Sequence, residues 1–135
     1  MSYALTTVVP RAFDEVLVEV RSALEEQGFG VLHETDLQVV IKAELDADIP
    51  RQVVLGACRP ALALAALWTE PSIGLLLPCN VAVRWKDTSS TIVETIDPLT
   101  IVETSGSAAL QELADDALVR LRAMLASLHG SPVTP

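Results

Sequence analysis

The chain has 135 residues, which fits one domain, and half of them are apolar, so an intrinsically disordered chain is excluded. Eighteen Asp and Glu against nine Lys and Arg give this acidic protein a net charge of -9. With no local basic patch, that charge argues against a nucleic-acid partner, because an acidic surface repels a phosphate backbone.

The chain shows no targeting or membrane-spanning pattern. Residues 1–6 lack a basic segment followed by a long apolar run, so no secretory signal is predicted. The most apolar stretch begins at Ala61 and is interrupted at Pro71, short of the ~20 residues of a spanning helix. We therefore expect a cytoplasmic protein with no membrane partner. Cys58 and Cys79 form no CxxC motif, and a reducing compartment would keep both as thiols.

The first part of the chain predicts a strand, a helix and a second strand. Residues 3–9 are rich in β-branched side chains and are followed by a proline, as at the end of a strand. From Phe13 to Leu24, apolar residues recur with helical spacing opposite a row of carboxylates. Gly28 then supplies a left-handed stop, and residues 30–35 are predicted to form the next strand.

A short helix and a third strand follow. Asp36 is placed to cap a helix that extends to Leu45. The side chains predicted to form its buried side are Leu37, Val40, Ile41 and Leu45. Residues 46–51 are expected to form a loop, and residues 52–58 a strand whose Gly56 lets another group approach the backbone closely.

The middle of the chain predicts a buried helix and a hairpin. Pro60 suits the first position of a helix, and residues 61–68 are apolar on nearly every side, which predicts burial. Leu75–Leu77 is too apolar for a surface loop and should be covered by the fold or by a second subunit. Residues 79–85 alternate and should pair with residues 91–96. The face expected to be apolar carries Cys79, Val81, Val83 and Trp85.

The C-terminal part predicts a single helical turn over residues 99–102 and a long helix over residues 107–129 that ends at Gly130. Residues 131–135 are expected to form a loose tail. The predicted order is strand, helix, strand, helix, strand, helix, strand, strand, helix. This order indicates an α+β class, with one domain over residues 1–130 and a mixed or antiparallel sheet of about five strands packed by helices.

The turn from the third strand into the next helix is the first candidate site. Free N–H groups at the helix start, with Arg59 beside them, would attract an anion and lower the pKa of the Cys58 thiol. The alternative is that Cys58 is a small apolar residue packed at a crowded turn.

The start of the fourth strand is the second candidate site. If the third and fourth strands pair, Cys58 and Cys79 could face one another across a shared pocket as a dithiol site. The side-chain amide of Asn80 would either bond a ligand or hold the loop backbone. Strand order cannot be read from the sequence, so both possibilities stay open at this point.

Catalytic and metal motifs are absent from the sequence. His33 and His129 are the only histidines, and surface roles account for both. Glu34 could orient His33 as a base, and a pair of Cys58 with His33 is geometrically allowed, but no spacing demands it. The Cys and His spacings match no zinc module, so no metal site and no cofactor are predicted.

Four short segments are distinctive: residues 28–32 (GFGVL), 55–60 (LGACRP), 74–81 (GLLLPCNV) and 96–98 (IDP). The run that contains them resembles a bacterial and archaeal family called domain of unknown function 302, or DUF302. Family members often carry asparagine where this chain has Arg59. The resemblance implies a single α+β domain, a homodimer, and two cysteines that belong to the family pattern, but it supplies no function.

Three functions are compatible with these residues. The favoured one is a dimeric small-ligand-binding or sensing module whose ligand is a small, anionic molecule. Its pocket would be lined by Gly56, Cys58, Arg59, Cys79 and Asn80. The second is a thiol redox or sulfur-transfer protein in which Cys58 is the nucleophile and Cys79 the resolving thiol. The third is a structural dimer whose cysteines only pack. No general base is identified, so the sequence leaves open whether the chain is an enzyme.

Overall fold

The computed structural model describes residues 2–133, and its strands form one open antiparallel sheet in the order β2-β3-β4-β5-β1-β6. The strands are β1 (Ala4–Val9), β2 (Gly30–Asp36), β3 (Gln52–Cys58), β4 (Cys79–Asp87), β5 (Ser90–Ile96) and β6 (Ser131–Val133). Each neighbouring pair is antiparallel. The α+β class is confirmed, with six strands where about five were expected.

Five α-helices accompany the sheet. They are α1 (Phe13–Glu26), α2 (Leu37–Leu45), α3 (Pro60–Thr69), α4 (Leu99–Ser105) and α5 (Gln111–Ser127). Two short 3₁₀ helices cover Pro71–Leu75 and Ala108–Leu110. No helix within residues 2–133 is long and apolar enough to cross a membrane.

The main core lies between one face of the sheet and helices α1 and α5. The helical stripe predicted for α1 is confirmed, because Val16, Val20 and Leu24 are fully buried. They join alternate residues of β3, β4 and β5 and the side chains of Leu121 and Met124 from α5 in one cluster. Gly28 follows α1 with a φ of 83°, which confirms the predicted left-handed stop.

Two helices are less buried than the sequence predicts. The Asp36 cap is confirmed, since its carboxylate accepts from the Val39 N–H, but α2 has no buried residue. The predicted buried side of α2 is therefore wrong, because α2 follows the edge strand β2 and lacks neighbours on its outer side. In α3 only Ala66 is buried, and Trp68 is 80% exposed. The helix α3 is apolar on nearly every side, and the rest of the chain covers only one of those sides.

The C-terminal region differs from the prediction at three points. The expected single turn at residues 99–102 extends to the seven-residue helix α4. The long helix begins with a 3₁₀ segment, and the left-handed residue at its end is His129, with a φ of 53°, instead of Gly130. Residues 131–133 of the expected loose tail pair with β1 as β6, because edge strand β1 offers free hydrogen-bonding groups. The last two residues of the predicted tail lie outside the described range.

Candidate functional site

The ends of β3 and β4 and the helices α3, α4 and α5 surround a cavity of about 60 Å³. Its wall is almost entirely apolar: among the described residues that line it, only Cys58, Arg59 and Cys79 carry a heteroatom in the side chain. The α3 part of the wall is built from Leu62, Ala63 and Ala66. Small side chains on α3 leave this space open where larger ones would close it.

Pairing of β3 with β4 brings the two cysteines to the same cavity. Ala57 lies directly opposite Cys79 in the antiparallel ladder, and Cys58 is the next residue along β3, where the side-chain direction alternates. Cys79 is buried, Cys58 is partly buried, and both are free thiols. The two strands pair as a dithiol site requires, but the register sets Ala57, and not Cys58, opposite Cys79.

The electrostatic surroundings of the thiols are opposite to the sequence expectation. Burial raises the pKa of Cys58, although a helix start and Arg59 were expected to lower it. Burial, together with the charge that a Cys58 thiolate would carry, raises the pKa of Cys79 to about 11. An apolar wall cannot solvate a thiolate, so both groups are neutral thiols near neutral pH.

Arg59 does not present a free charge to the cavity. Its guanidinium donates to the carboxylate of Asp116 on α5, and Asp116 also accepts from Arg120 Nε at 3.0 Å. Arg120 donates to the backbone oxygen of Gln27 at 3.3 Å, and a Cβ added at Gly28 would lie 3.3 Å from Arg59 Nε. These contacts make Arg59 part of the cavity wall. They do not support the expected anion pocket.

Asn80, one of the predicted pocket residues, lies in a different depression. Asn80 lines a groove of about 700 Å³ together with His33 and the segment Leu75–Pro78. Gly56 pairs with both His33 and Asn80 in the ladder and lies beneath the His33 ring, so it lines neither the cavity nor the groove. Of the residues expected to form one pocket, Cys58, Arg59 and Cys79 line the cavity, and Asn80 lines the groove.

The sequence analysis does not predict the polar network around Glu94, which lines the groove. Glu94 of β5 accepts from Thr6 Oγ1 at 2.7 Å and from Arg84 Nε at 2.9 Å. Burial alone would raise the pKa of Glu94, but the hydrogen bonds from Arg84 and Thr6 outweigh burial and lower it. Arg84 and Glu94 stand on the non-core positions of adjacent strands, and that alternation is the only signal in the sequence that could have paired them.

The pairing of Cys58 with His33 that the sequence allows is not supported by their positions. His33 lines the groove, whereas Cys58 lines the cavity. Within residues 2–133, no three His, Cys, Asp or Glu side chains come together as a metal-binding group.

Comparison with known proteins supports the resemblance found in the sequence. The family model described as "Domain of unknown function DUF302" matches residues 5–128. A crystal structure of an uncharacterized conserved DUF302 protein from Bacillus stearothermophilus is similar to this chain, with 26% identity and a TM-score of 0.85. The alignment covers 93% of this chain and 98% of that one. No curated protein matches the chain significantly.

Proposed function

The chain belongs to the DUF302 family, and we propose that it is a small-ligand-binding or sensing module that acts as a homodimer. The observation that carries the proposal is the apolar cavity between α3, α5 and the ends of β3 and β4. A concave, mostly apolar site with a few polar groups at one side is the usual form of a small-molecule site.

The size and wall of the cavity define the ligand class. A cavity of about 150 Å³ accepts benzene, and the present cavity measures about 60 Å³. The ligand is therefore a smaller apolar molecule or the apolar end of a longer one. Since Arg59 is engaged with Asp116, we replace the anionic ligand expected from the sequence by an apolar one.

The binding proposal is preferred to thiol redox or sulfur-transfer chemistry. A nucleophilic cysteine needs a lowered pKa, and burial raises the pKa of both Cys58 and Cys79. A purely structural role for the cysteines remains as the alternative, and it requires no ligand. Two free thiols agree with the reducing cytoplasm that we propose as the location.

Xenon tests the cavity directly, because it is a small apolar atom that enters apolar cavities. NMR spectra of the protein under xenon pressure should show shifted amide signals around Ala63 and Ala66. Ala63→Leu fills the cavity and should abolish these shifts. Ala61→Leu, on the exposed side of the same helix, is the matched control and should preserve them. Shifts that persist in Ala63→Leu would contradict the proposed site.

A natural ligand is tested by native mass spectrometry of the protein as purified, without added compounds. The proposal expects a bound mass in the wild type and in Ala61→Leu that disappears in Ala63→Leu. A folded wild-type protein that carries no bound mass and takes up no apolar compound from a cell extract would favour the structural role.

The homodimer is supported by the exposed surface. The chain exposes 7530 Å², whereas a folded monomer of 14.4 kDa exposes about 6,800 Å². The excess of about 700 Å² is close to the ~800 Å² that each partner buries in a standard interface. Four exposed apolar side chains, which we call the α3 patch, supply a surface of the required kind: Leu64, Leu67, Trp68 and Leu75.

Sedimentation equilibrium at micromolar concentration tests the dimer. We expect twice the mass of the 14.4 kDa chain, and a monomer in Trp68→Glu, because the substitution places a charge in the α3 patch. Val119→Glu is the control, since Val119 is also exposed but lies on α5. A wild-type protein that sediments only as a monomer would reject the homodimer while leaving the cavity proposal untouched.

A further inference from the structure

The groove of about 700 Å³ that contains Asn80 opens on the face of the sheet opposite the main core. Asn80 and Ala82 of β4 and Glu94 of β5 line this groove. They alternate along their strands with buried core residues such as Val81 and Val93. The methyl group of Ala82 leaves space that a larger side chain would fill. The amide of Asn80 and the carboxylate of Glu94 supply oxygen atoms that can accept hydrogen bonds.

The groove and the α3 patch share one residue, Leu75. The segment Leu75–Pro78 forms the apolar wall of the groove, and Leu75 is also a member of the α3 patch. Leu76 and Leu77 pack against the small core cluster around Ile73, so the fold itself covers them. Leu75, in contrast, is 87% exposed. The α3 patch and the groove wall therefore form one continuous apolar surface, and the part of it at Leu75 is left for a second subunit to cover.

Trp68 is the member of the α3 patch whose side chain carries a polar group, the indole N–H, and this group can only donate a hydrogen bond. The other three members of the patch are leucines. If the patch of one protomer packed against the same patch of the other, two donors would be buried among side chains that offer no acceptor, which is unfavourable. The groove offers the acceptors that the patch lacks, at Asn80 and Glu94.

Twofold symmetry allows the patch and the groove to meet twice in one dimer, because each contact between the protomers is matched by the same contact in reverse. An axis close to Leu75 sets each α3 patch over the groove of the other protomer. We propose that Trp68 of each protomer inserts into the groove of the other, where its N–H donates to Asn80 or Glu94. The two insertions bury the surface that this chain exposes in excess of a monomer of its mass. This inference rests on the proposed homodimer and names the site at which its anchor residue binds.

Ala82→Trp tests the groove, because the new indole fills the space that Trp68 of the other protomer needs. In sedimentation equilibrium, we expect the dissociation constant of the dimer to rise at least about 10-fold over that of the wild type. Ala43→Trp, on the exposed part of α2, is the matched control and should dimerise as the wild type does. A wild-type dimer whose affinity is unchanged in Ala82→Trp would overturn this inference and leave the homodimer standing. A wild type that is only monomeric would reject both.

A mixture of two defective variants tests whether the insertion takes place between protomers. Trp68→Ala keeps the groove but lacks the anchor, and Ala82→Trp keeps the anchor but has a filled groove. The mixture restores one of the two insertions, so we expect a mixed dimer at a concentration at which each variant alone is monomeric. Native mass spectrometry identifies this dimer by its mass. Absence of the mixed dimer would refute the insertion.

A measurement on the unaltered protein covers the case in which a variant does not fold. In an equimolar mixture of ¹³C-labelled and unlabelled wild-type protein, isotope-filtered NMR detects only contacts between protomers. We expect cross-peaks between the indole protons of Trp68 and the methyl group of Ala82. Cross-peaks between the two Trp68 rings instead would show that the α3 patch packs against itself, and would overturn the inference.

Discussion

The imidazole of His33 lies directly over Gly56 on the neighbouring strand. A Cβ added at Gly56 would be 2.2 Å from His33 Nε2 and 2.7 Å from two ring carbons. The His33 ring therefore occupies the space that a side chain at position 56 would fill. Because the two residues pair in the β2–β3 ladder, this contact sets one end of the groove that also contains Asn80.

Gly56→Ala should displace the His33 ring at small cost. The obstructing atoms belong to the far end of an exposed side chain that can rotate into solvent, so we expect a loss below about 1 kcal/mol. In the double variant Gly56→Ala/His33→Ala the loss should vanish. Urea unfolding of the wild type, both single variants and the double variant measures this coupling. Identical losses with and without the imidazole would show that the ring is not the obstacle.

Gly130→Ala should cost more, because the obstacle there is backbone. A Cβ at this position would lie 2.6 Å from the carbonyl oxygen of Val8 and 2.6 Å from Thr7 Oγ1. We expect a loss of about 1–3 kcal/mol and faster amide exchange in β6, which pairs with β1 just beyond this point. Gly74→Ala is the control, since its added carbon meets only Leu67 at 4.0 Å. A loss no larger than that of the control would contradict the close approach.

Both thiols should resist alkylation near neutral pH. Burial raises the pKa of Cys58, and burial and the Cys58 charge raise that of Cys79 to about 11, so little thiolate is present. Iodoacetamide at pH 8, followed by peptide mass analysis, should leave Cys79 unmodified until urea is added. Cys58, which is partly exposed, should react more slowly than a free cysteine. Rapid modification below pH 7 would restore the redox and sulfur-transfer hypothesis.

Glu94 should make stability depend on acid pH. Despite the opposing effect of burial, the hydrogen bonds from Arg84 and Thr6 lower the pKa of Glu94 in the folded protein. A carboxyl with a depressed folded pKa stabilises above its unfolded pKa of about 4.3 and loses this contribution as the pH falls through the folded pKa. When the pH falls from 5 to 3, the free energy of unfolding of Glu94→Gln should therefore decrease by about 1 kcal/mol less than that of the wild type.

Urea unfolding at several pH values gives the comparison. Glu103→Gln is the control, because Glu103 is exposed on α4 and takes no part in the network. If Glu94→Gln and Glu103→Gln show the same pH profile as the wild type, the network contributes nothing to acid stability.

The local pattern of the sequence was sufficient for most of the secondary structure. The stripe from Phe13 to Leu24 predicts α1, and the alternation from Cys79 to Val83 predicts β4, because burial repeats with a short period in both. Gly28 and Asp36 mark helix ends through their own backbone and side-chain chemistry. Such signals need no knowledge of distant residues.

The same local reasoning failed where burial depends on a neighbour. The apolar circumference of α3 predicts a covered helix, yet Leu64 and Trp68 are exposed. Residues 131–133 show no strand pattern of their own and become β6 only because edge strand β1 is available to pair with them. In both cases the sequence shows how apolar or polar a segment is, but it does not show which other segment packs or pairs with it.

The sequence alone determined the α+β class, the family resemblance and the two cysteines as residues of interest, because each follows from short segments. The tertiary structure decided that Cys58 and Cys79 line one cavity while Asn80 lines the separate groove. It also pairs Arg59 with Asp116 on α5. The positive charge of Arg59, which was expected to attract an anion, is therefore engaged by a carboxylate. Strand order and helix packing bring distant residues together, and contacts of that kind leave no periodic trace in the sequence.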